Sequence, residues 1–236
     1  MKLNSLPKKL ATICATAFLT LGMLSSAQAA NVFVTKEYEG THAIYFTGDI
    51  RRGDAKKLEA AIFENPNIKN VVMWSNGGIA AEGPLIGSVL SKYEMTAVVK
   101  ENTWCMSACA DAFIGAAEYK IDGGVLGFHK AWIPPFYRHR IGSQEAFDNG
   151  QSQGANAAYW LIANGFSFQL SALINHFTAP DKFVVFFHED SLKKFYVRDE
   201  ANSVDNYLKP AIHDFKAFED FNVFTVDRLL RVTGNK

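Results

Sequence analysis

The chain is predicted to fold as an α/β domain built on a largely parallel sheet. Segments typical of strands alternate with segments typical of helices, and the connections between them are short. One strand segment, residues 71–74, is almost continuously apolar, as in strands that a parallel sheet buries on both faces. Of the 236 residues, 48% are hydrophobic and 19 are Phe, so the chain can bury enough apolar surface to fold.

The predicted elements follow one another without an internal repeat or a low-complexity linker. In chain order they are strand 42–47, helix 55–63, strand 71–74, helix 80–93, strand 96–99, helix 107–117, strands 119–121 and 125–129, and helices 144–164 and 167–177. Residues 181–196 are not assigned to either class. The expected result is one domain whose core covers about residues 42–200.

Local residue choices support the elements of the first half. Asp54 is a good helix cap, and the sequence NPN at residues 65–67 stops the helix that follows it. Between residues 80 and 93, four apolar residues recur at helical spacing and predict a buried stripe. They are Leu85, Ile86, Val89 and Leu90.

The second half contains comparable signals. Residues 107–117 are rich in Ala and other small residues, which suits a helix packed closely against a sheet. Pro134 and Pro135 mark a loop, and Gly165 separates the two later helices because glycine readily ends a helix.

The first 29 residues have the pattern of a cleavable secretory signal peptide. Lys2, Lys8 and Lys9 precede an apolar run over residues 10–24, and small residues lead to the predicted cleavage site after Ala29. Polar Thr residues and a Gly interrupt the apolar run, which favours cleavage over the alternative of an uncleaved membrane anchor.

The mature domain is therefore expected at residues 30–236, in the periplasm or secreted. The signal peptide contains three Lys and no acidic residue, so the mature domain is mildly acidic. No basic run indicates nucleic-acid binding, and no phosphate loop or dinucleotide fingerprint is present. The sequence His188, Glu189, Asp190 lacks a matching His pair, so neither a metal nor another cofactor is expected.

Two cysteines, Cys105 and Cys109, remain in the mature chain. In an exported protein they are candidates for a disulfide. Residues four apart in a helix lie about 6 Å from each other, which is within the Cα range of a disulfide. The alternative is a pair of buried thiols, since free Cys is often buried.

Three local features stand in a suggestive order along the chain. The pair Gly77 and Gly78 follows the buried strand, Ser107 opens the small-residue helix, and His129 follows a short apolar strand. Each feature alone has a plain structural explanation, as turn glycines, a helix cap and a core histidine. Their order and spacing along the chain weaken these plain explanations.

Four segments carry a resemblance to a known family. They are IYFTGDIRRGDAKKLEAAI, VVMWSNGGIAAEGPLIGSVL, CMSACADAFIGA and GVLGFHKAW. Together they resemble the Clp protease proteolytic subunit and, more broadly, the Clp/crotonase superfamily, especially its exported Clp-like members. The resemblance spans about residues 42–200 and implies repeated β-β-α units wound into a superhelical spiral with a mostly parallel sheet.

The resemblance also implies roles for individual residues. Ser107 would be the nucleophile and His129 its general base, with the amides of Gly78 and Ala108 facing the substrate carbonyl oxygen. The third member of a Ser-His-Asp triad would be Asp181, 52 residues after the histidine.

Several alternatives stay open at this point. Asp190 and Asp199 compete with Asp181 for the orienting role, and a helix cap is the plain explanation for each. The chain also departs from the family pattern, with Asn76 in place of a Pro and Trp104 close to the nucleophile. A bridge beside the nucleophile would either brace that turn or hold it in an unproductive shape.

The sequence thus predicts an exported Clp-like serine hydrolase that acts on peptide or other acyl bonds. Its relatives imply a homo-oligomer, and no segment resembles a docking site for an ATP-dependent unfoldase. The alternative is a catalytically inactive Clp-like protein that serves assembly or binding. A crotonase-like acyl-CoA enzyme would need a cytosolic cofactor, which export disfavours.

Overall fold

The structure, a computed structural model, describes residues 29–132, 140–197 and 223–225, together with Arg228 and Arg231. Most of the predicted signal peptide lies outside the described residues, as do the predicted loop prolines Pro134 and Pro135 and the candidate Asp199.

The described residues form nine strands and six helices. The strands are β1 (Asn31–Tyr38), β2 (Thr41–Thr47), β3 (Asn70–Trp74), β4 (Thr96–Lys100), β5 (Trp104–Met106), β6 (Glu118–Asp122), β7 (Val125–Phe128), β8 (Lys182–Phe186) and β9 (Val223–Thr225). The helices are α1 (Asp54–Glu64), α2 (Glu82–Lys92), α3 (Ala108–Ile114), α4 (Ser143–Ala163), α5 (Phe168–Phe177) and α6 (Glu189–Lys193).

The first sheet has five strands in the order β1-β2-β3-β4-β6. Strands β2, β3, β4 and β6 are parallel, and β1 is antiparallel to β2 at one edge. The helices between successive strands return the chain to the same end of the sheet, as parallel pairing requires. This part of the molecule confirms the predicted α/β fold with a parallel sheet.

The second sheet has four strands in the order β5-β7-β8-β9. Only β5 and β7 are parallel, whereas β7 with β8 and β8 with β9 are antiparallel. The expectation of a mostly parallel sheet is therefore wrong for this half of the fold. The chain runs through α4 and α5 before it enters β8 from the opposite end, which makes the pairing antiparallel.

Most predicted elements are present within a few residues of their expected bounds, but four strands (β1, β5, β8 and β9) and one helix were missed. Strand β1 was missed because it precedes the part of the chain that carries the family resemblance. Strand β5 has three residues and α6 has five, too few for a clear periodic pattern. Strand β8 and α6 occupy the unassigned residues 181–196.

Asp54 does not cap α1 as predicted. It is the first residue of the helix, and the preceding Gly53 occupies the cap position with φ of 92°. The Asp54 side chain is fully buried and accepts hydrogen bonds from the amides of Ala30 and Arg51 at 3.2 and 2.7 Å. It therefore fastens the start of the domain to the turn before α1.

Helix α2 buries a narrower stripe than its sequence predicts. Ile86 and Leu90 are fully buried, but Leu85 is 54% exposed. Gly83 and Gly87 bring α2 against the nucleophile helix α3, since a Cβ on Gly83 would collide with the Ala108 carbonyl oxygen. Among the described residues, no helix is both long and apolar enough to cross a membrane.

Candidate active site

Two parallel strand ends bring the predicted nucleophile and base together. Strand β5 pairs with β7, with Met106 opposite Gly127. Ser107 follows β5 directly and His129 follows β7 directly, so both side chains emerge at the same edge of the sheet. A Cβ at Gly127 would lie against the Met106 sulfur, so a larger residue there would require the Met106 side chain to move.

Ser107 occupies a tight turn between β5 and α3. Its φ is 57° and its ψ is −127°, a region that residues other than glycine rarely adopt. The Ser107 amide donates to the Gly127 carbonyl at 2.8 Å, which ties the turn to β7. The Ser107 Oγ lies 2.7 Å from the His129 Nε2, within direct proton-transfer distance.

The surroundings of His129 favour the neutral imidazole. Burial lowers its pKa from the ordinary value, and the backbone carbonyls of Ala179 and Pro180 oppose this effect in part. The ring stacks on Phe183, with centroids 4.5 Å apart. A neutral imidazole with Nε2 free of a proton accepts the hydrogen bond of the Ser107 hydroxyl, as a general base must.

The structure does not join Asp181 to His129. Asp181 is exposed, and the described residues contain no hydrogen bond between the two side chains. The buried Nδ1 of His129 has no hydrogen-bond partner of ordinary geometry within the described part of the chain. Asp190 is also exposed, in α6, and Asp199 lies outside the described residues. The assignment of the orienting acid stays a prediction.

The glycine turn after β3 packs directly against the nucleophile turn. Gly77 has φ of 91°, and a Cβ there would lie 2.6 Å from the Ser107 Cβ and 2.5 Å from the Met106 carbonyl oxygen. Gly78 has φ of 152°, and a Cβ there would collide with the Ile50 carbonyl oxygen. Both positions therefore require glycine for conformation and for space.

Ser75 joins the two sheets beneath this turn. Its amide donates to the Trp104 carbonyl at 2.9 Å, and its carbonyl accepts from the Met106 amide at 3.0 Å. Its hydroxyl donates to the Gly48 carbonyl at 2.5 Å and accepts from the Gly77 amide at 3.0 Å. The buried Ser75 thus holds β2, β3 and β5 at fixed positions around the nucleophile.

The amides of Gly78 and Ala108 are free to bind an acceptor. Neither donates a hydrogen bond to another described residue of the protein. Ala108 is the first residue of α3, so its amide also lies at the positive end of that helix. Two such amides are suited to an oxyanion, and their predicted role in binding one stays a prediction.

A disulfide joins Cys105 and Cys109 and encloses the nucleophile turn. Cys105 lies in β5 and Cys109 in α3, with Cα atoms 5.1 Å apart, and both are fully buried. The predicted disulfide is therefore confirmed. In this disulfide-bonded state the Ser107 Oγ and the His129 Nε2 lie within hydrogen-bond distance.

The Ser107 hydroxyl opens into a cleft of about 460 Å³. Helices α4 and α5 form one wall, and the segment after the glycine turn forms another. Small residues of α4 leave this wall open; they are Gly150, Gly154 and Ala157. The cleft has room for a substrate beside the nucleophile.

Asp111 is a cleft residue that the sequence analysis did not identify. It lies four residues after Ser107, and its amide donates to the Ser107 carbonyl at 3.2 Å. Burial raises the pKa of its carboxyl to about 7. The sequence feature that could have identified Asp111 is its position as the single acid in the otherwise apolar segment ACADAFIG. The described residues contain no cluster of three metal-ligating side chains.

A comparison with solved structures finds a structural likeness. No family model and no curated protein match the chain. Among solved structures, the chain is similar to a ClpP1 mutant from Listeria monocytogenes, with 12% sequence identity and a TM-score of 0.46. The similarity covers 70% of this chain and 94% of that one. Family membership and the superhelical spiral stay predictions.

Proposed function

We propose that the protein is an exported Clp-like serine hydrolase that cleaves peptide or related acyl bonds. The observation that carries the proposal is the 2.7 Å approach of the Ser107 Oγ to the His129 Nε2. Further support comes from the positive φ of Ser107, the neutral state that burial favours for His129, and the open cleft beside them.

In the proposed reaction, the Ser107 Oγ attacks the substrate carbonyl carbon while His129 takes the hydroxyl proton. The amides of Gly78 and Ala108 would stabilise the negative oxygen, and each such donor contributes about 3 kcal/mol in related enzymes. His129 then returns the proton to the leaving amine or alcohol, which leaves an ester on Ser107. Water, deprotonated by the same imidazole, hydrolyses this ester and releases the acid.

The disulfide supports the proposed location. Disulfides persist in oxidising compartments such as the periplasm and are rare in the cytosol. The bridge between Cys105 and Cys109 is fully buried. Together with the predicted signal peptide it favours export, which N-terminal sequencing of the protein recovered from cell fractions would test. A start at Ala30 in a periplasmic or secreted fraction is the expected result.

Labelling with a fluorophosphonate probe tests the proposed chemistry. The purified domain should label at Ser107, and Ser107→Ala or His129→Ala should abolish labelling. Matched controls are Ser91→Ala and His42→Ala, which change exposed residues outside the cleft. Absence of labelling in the folded wild-type protein would contradict the proposal. It would favour the alternative of a catalytically inactive protein that serves assembly or binding.

Oligomeric state is a separate part of the proposal. Clp-like proteins imply a homo-oligomer, and exposed apolar residues on α1 and α2 offer a surface for it. Phe63 is 77% exposed and Leu85 is 54% exposed. Sedimentation velocity of the mature domain should give a species larger than a monomer, and Phe63→Ser with Leu85→Ser should shift it toward the monomer.

A further inference from the structure

Asp111 projects a carboxyl into the cleft one helical turn beyond the nucleophile. The Ser107 carbonyl accepts from the amides of Ala110 and Asp111 at 2.8 and 3.2 Å, so the first turn of α3 joins the two side chains. One turn of helix rises about 5.4 Å. The nucleophile and the carboxyl therefore lie side by side along the floor of the same cleft.

The carboxyl has no partner in the described part of the chain. No hydrogen bond or ion pair to its oxygens is found there, and desolvation raises its pKa to about 7. Of the described residues that line the cleft, only Asp111 and Lys130 carry a formal charge, and His129 is the other titratable group. Lys130 is exposed and forms no ion pair with Asp111.

The opposite wall of the cleft supplies space and no competing charge. Gln153, Asn156 and Trp160 of α4 line this wall with polar but uncharged groups, and the Trp160 Nε1 donates to the Asp111 backbone carbonyl at 2.8 Å. Gly154 has no atom within 4 Å of the position where a Cβ would lie. Among the described residues of this wall, a long side chain entering from the substrate backbone meets no cation on its way to the carboxyl.

We propose that Asp111 is a specificity-determining residue that binds the cationic side chain of a Lys or Arg residue next to the scissile bond. This inference rests on the proposed hydrolase function. The three- or four-methylene stem of Arg or Lys spans one helical turn, and its charged end pairs with a carboxylate. A cation in the cleft would satisfy a carboxyl that pairs with none of the described residues, whereas a neutral side chain of equal length would not.

Paired esters test the preference directly. The mature protein is assayed with the 4-nitrophenyl esters of N-acetyl-lysine and N-acetyl-norleucine, which differ in the terminal ammonium group. We expect kcat/KM for the lysine ester to exceed that for the norleucine ester by at least tenfold. Asp111→Asn should bring this ratio close to one, and Asp111→Glu should restore part of it. Asp148→Asn, an exposed acid of α4, is the matched control and should leave the ratio unchanged.

A binding measurement separates this inference from the proposed function. Ser107→Ala protein is titrated with N-acetyl-lysine amide and N-acetyl-norleucine amide, which need no chemistry. Selective binding of the lysine amide that Asp111→Asn abolishes supports the inference, even if the wild-type protein fails to label with a fluorophosphonate. Equal binding of both amides, or equal kcat/KM for both esters, overturns it. Near-ultraviolet circular dichroism confirms that each variant is folded.

A second observation concerns the predicted start of the mature chain. The Ala30 amide donates to the fully buried Asp54 carboxylate at 3.2 Å. Lys57, which also pairs with Asp54 at 2.7 Å, is about half exposed. Cleavage after Ala29 would convert the Ala30 amide nitrogen into a charged α-amino group at this position.

We infer that processing after Ala29 creates a buried ion pair between the new N-terminus and Asp54. A charge-assisted hydrogen bond is roughly twice as strong as a neutral one. The pair would raise the pKa of the α-amino group above its ordinary value. Its stabilisation is therefore complete below that ordinary pKa and is lost as pH rises through the raised one.

The test compares two proteins that differ by one residue. One begins at Ala30 and the other at Ala29, each released from a removable fusion partner. We expect the Ala30 start to unfold at a temperature several degrees higher at pH 7, and the difference to shrink at high pH. Equal unfolding temperatures at pH 7, or a difference that does not change with pH, would overturn the inference.

Discussion

Gly77 lies against the nucleophile itself, because a Cβ at this position would come within 2.6 Å of the Ser107 Cβ. The two residues belong to different strand ends, and Ser75 holds those ends together. The shape of the glycine turn and the position of the nucleophile therefore depend on each other. Changes in one should be measurable as reactivity at the other.

The substitution Gly77→Ala should lower Ser107 labelling by more than tenfold, because the added methyl group displaces the nucleophile turn. Gly53→Ala is the matched control. Gly53 has φ of 92°, almost the same as the 91° of Gly77, but no atom lies within 4 Å of its Cβ position. Both variants place an alanine at a positive φ, so a fall in labelling confined to Gly77→Ala would reflect the contact with Ser107. Equal labelling would show that the contact with Ser107 is unimportant.

The reactivity of Ser107 should follow the ionisation of His129. Burial lowers the pKa of the imidazole from its ordinary value of about 6.5, so the base is already neutral at pH 7. The fluorophosphonate labelling rate should rise with pH, reach half its maximum below pH 6.5, and be level near pH 7. Rate constants between pH 4.5 and 8 check this. A midpoint above pH 7 would contradict the expected effect of burial.

The substitution Asp181→Asn tests whether Asp181 orients His129. If Asp181 were the acid of a triad, this substitution would lower the rate of Ser107 labelling by two to four orders of magnitude. The carbonyls of Ala179 and Pro180 interact with the imidazole, whereas Asp181 is exposed, so we expect labelling within about threefold of wild type. A loss of a hundredfold or more would establish Asp181 as the orienting acid. Asp190→Asn serves as the control for an exposed acid.

Loss of the disulfide should reduce both stability and reactivity. For a ring of this small size, chain entropy predicts a cost of about 2 kcal/mol in the free energy of unfolding. Cys105→Ala with Cys109→Ala, and reduction of the wild-type protein, should both slow Ser107 labelling because the turn is no longer braced. Urea unfolding and labelling rates provide the two measurements. Faster labelling after reduction would indicate that the bridge restrains the nucleophile unproductively.

Asp111→Asn should stabilise the protein at alkaline pH. The folded-state pKa of about 7 is well above the ordinary value for Asp, so the folded state holds a proton that the unfolded state releases. This contribution is complete below about pH 4 and is lost as pH rises through about 7. The variant should gain roughly 1–3 kcal/mol at pH 8 and little at pH 4. Urea unfolding at both pH values, with Asp148→Asn as control, measures the difference.

The alternation of strands and helices was predictable because each unit has a clear apolar period and a turn at its end. The direction of β8 was not, since antiparallel pairing depends on the path of α4 and α5. The fully buried Asp54 shows another limit. Its residue type favours a helix cap, but its partners Ala30 and Arg51 become apparent only when the chain is folded.

The site was predictable to a similar extent. The order of Gly77, Ser107 and His129 along the chain supported a family resemblance that implied the chemistry, since Gly77 and His129 follow predicted strands and Ser107 opens a predicted helix. The pairing of β5 with β7 explains why they meet, but β5 is too short to recognise from sequence. Asp111 was missed because a helical neighbour of the nucleophile has no fixed role until the cleft around it is known.

The position of Ser75 between the two sheets has a consequence for resistance to degradation. Its bonds to Gly48, Gly77, Trp104 and Met106 leave no short segment around the nucleophile that can open by itself. Exchange of the Met106 and Ser107 amide hydrogens with solvent should therefore require unfolding of the whole domain. If the protein is the proposed hydrolase, the backbone of the Ser107 turn would be inaccessible to neighbouring copies as long as the domain stays folded, which would limit self-digestion.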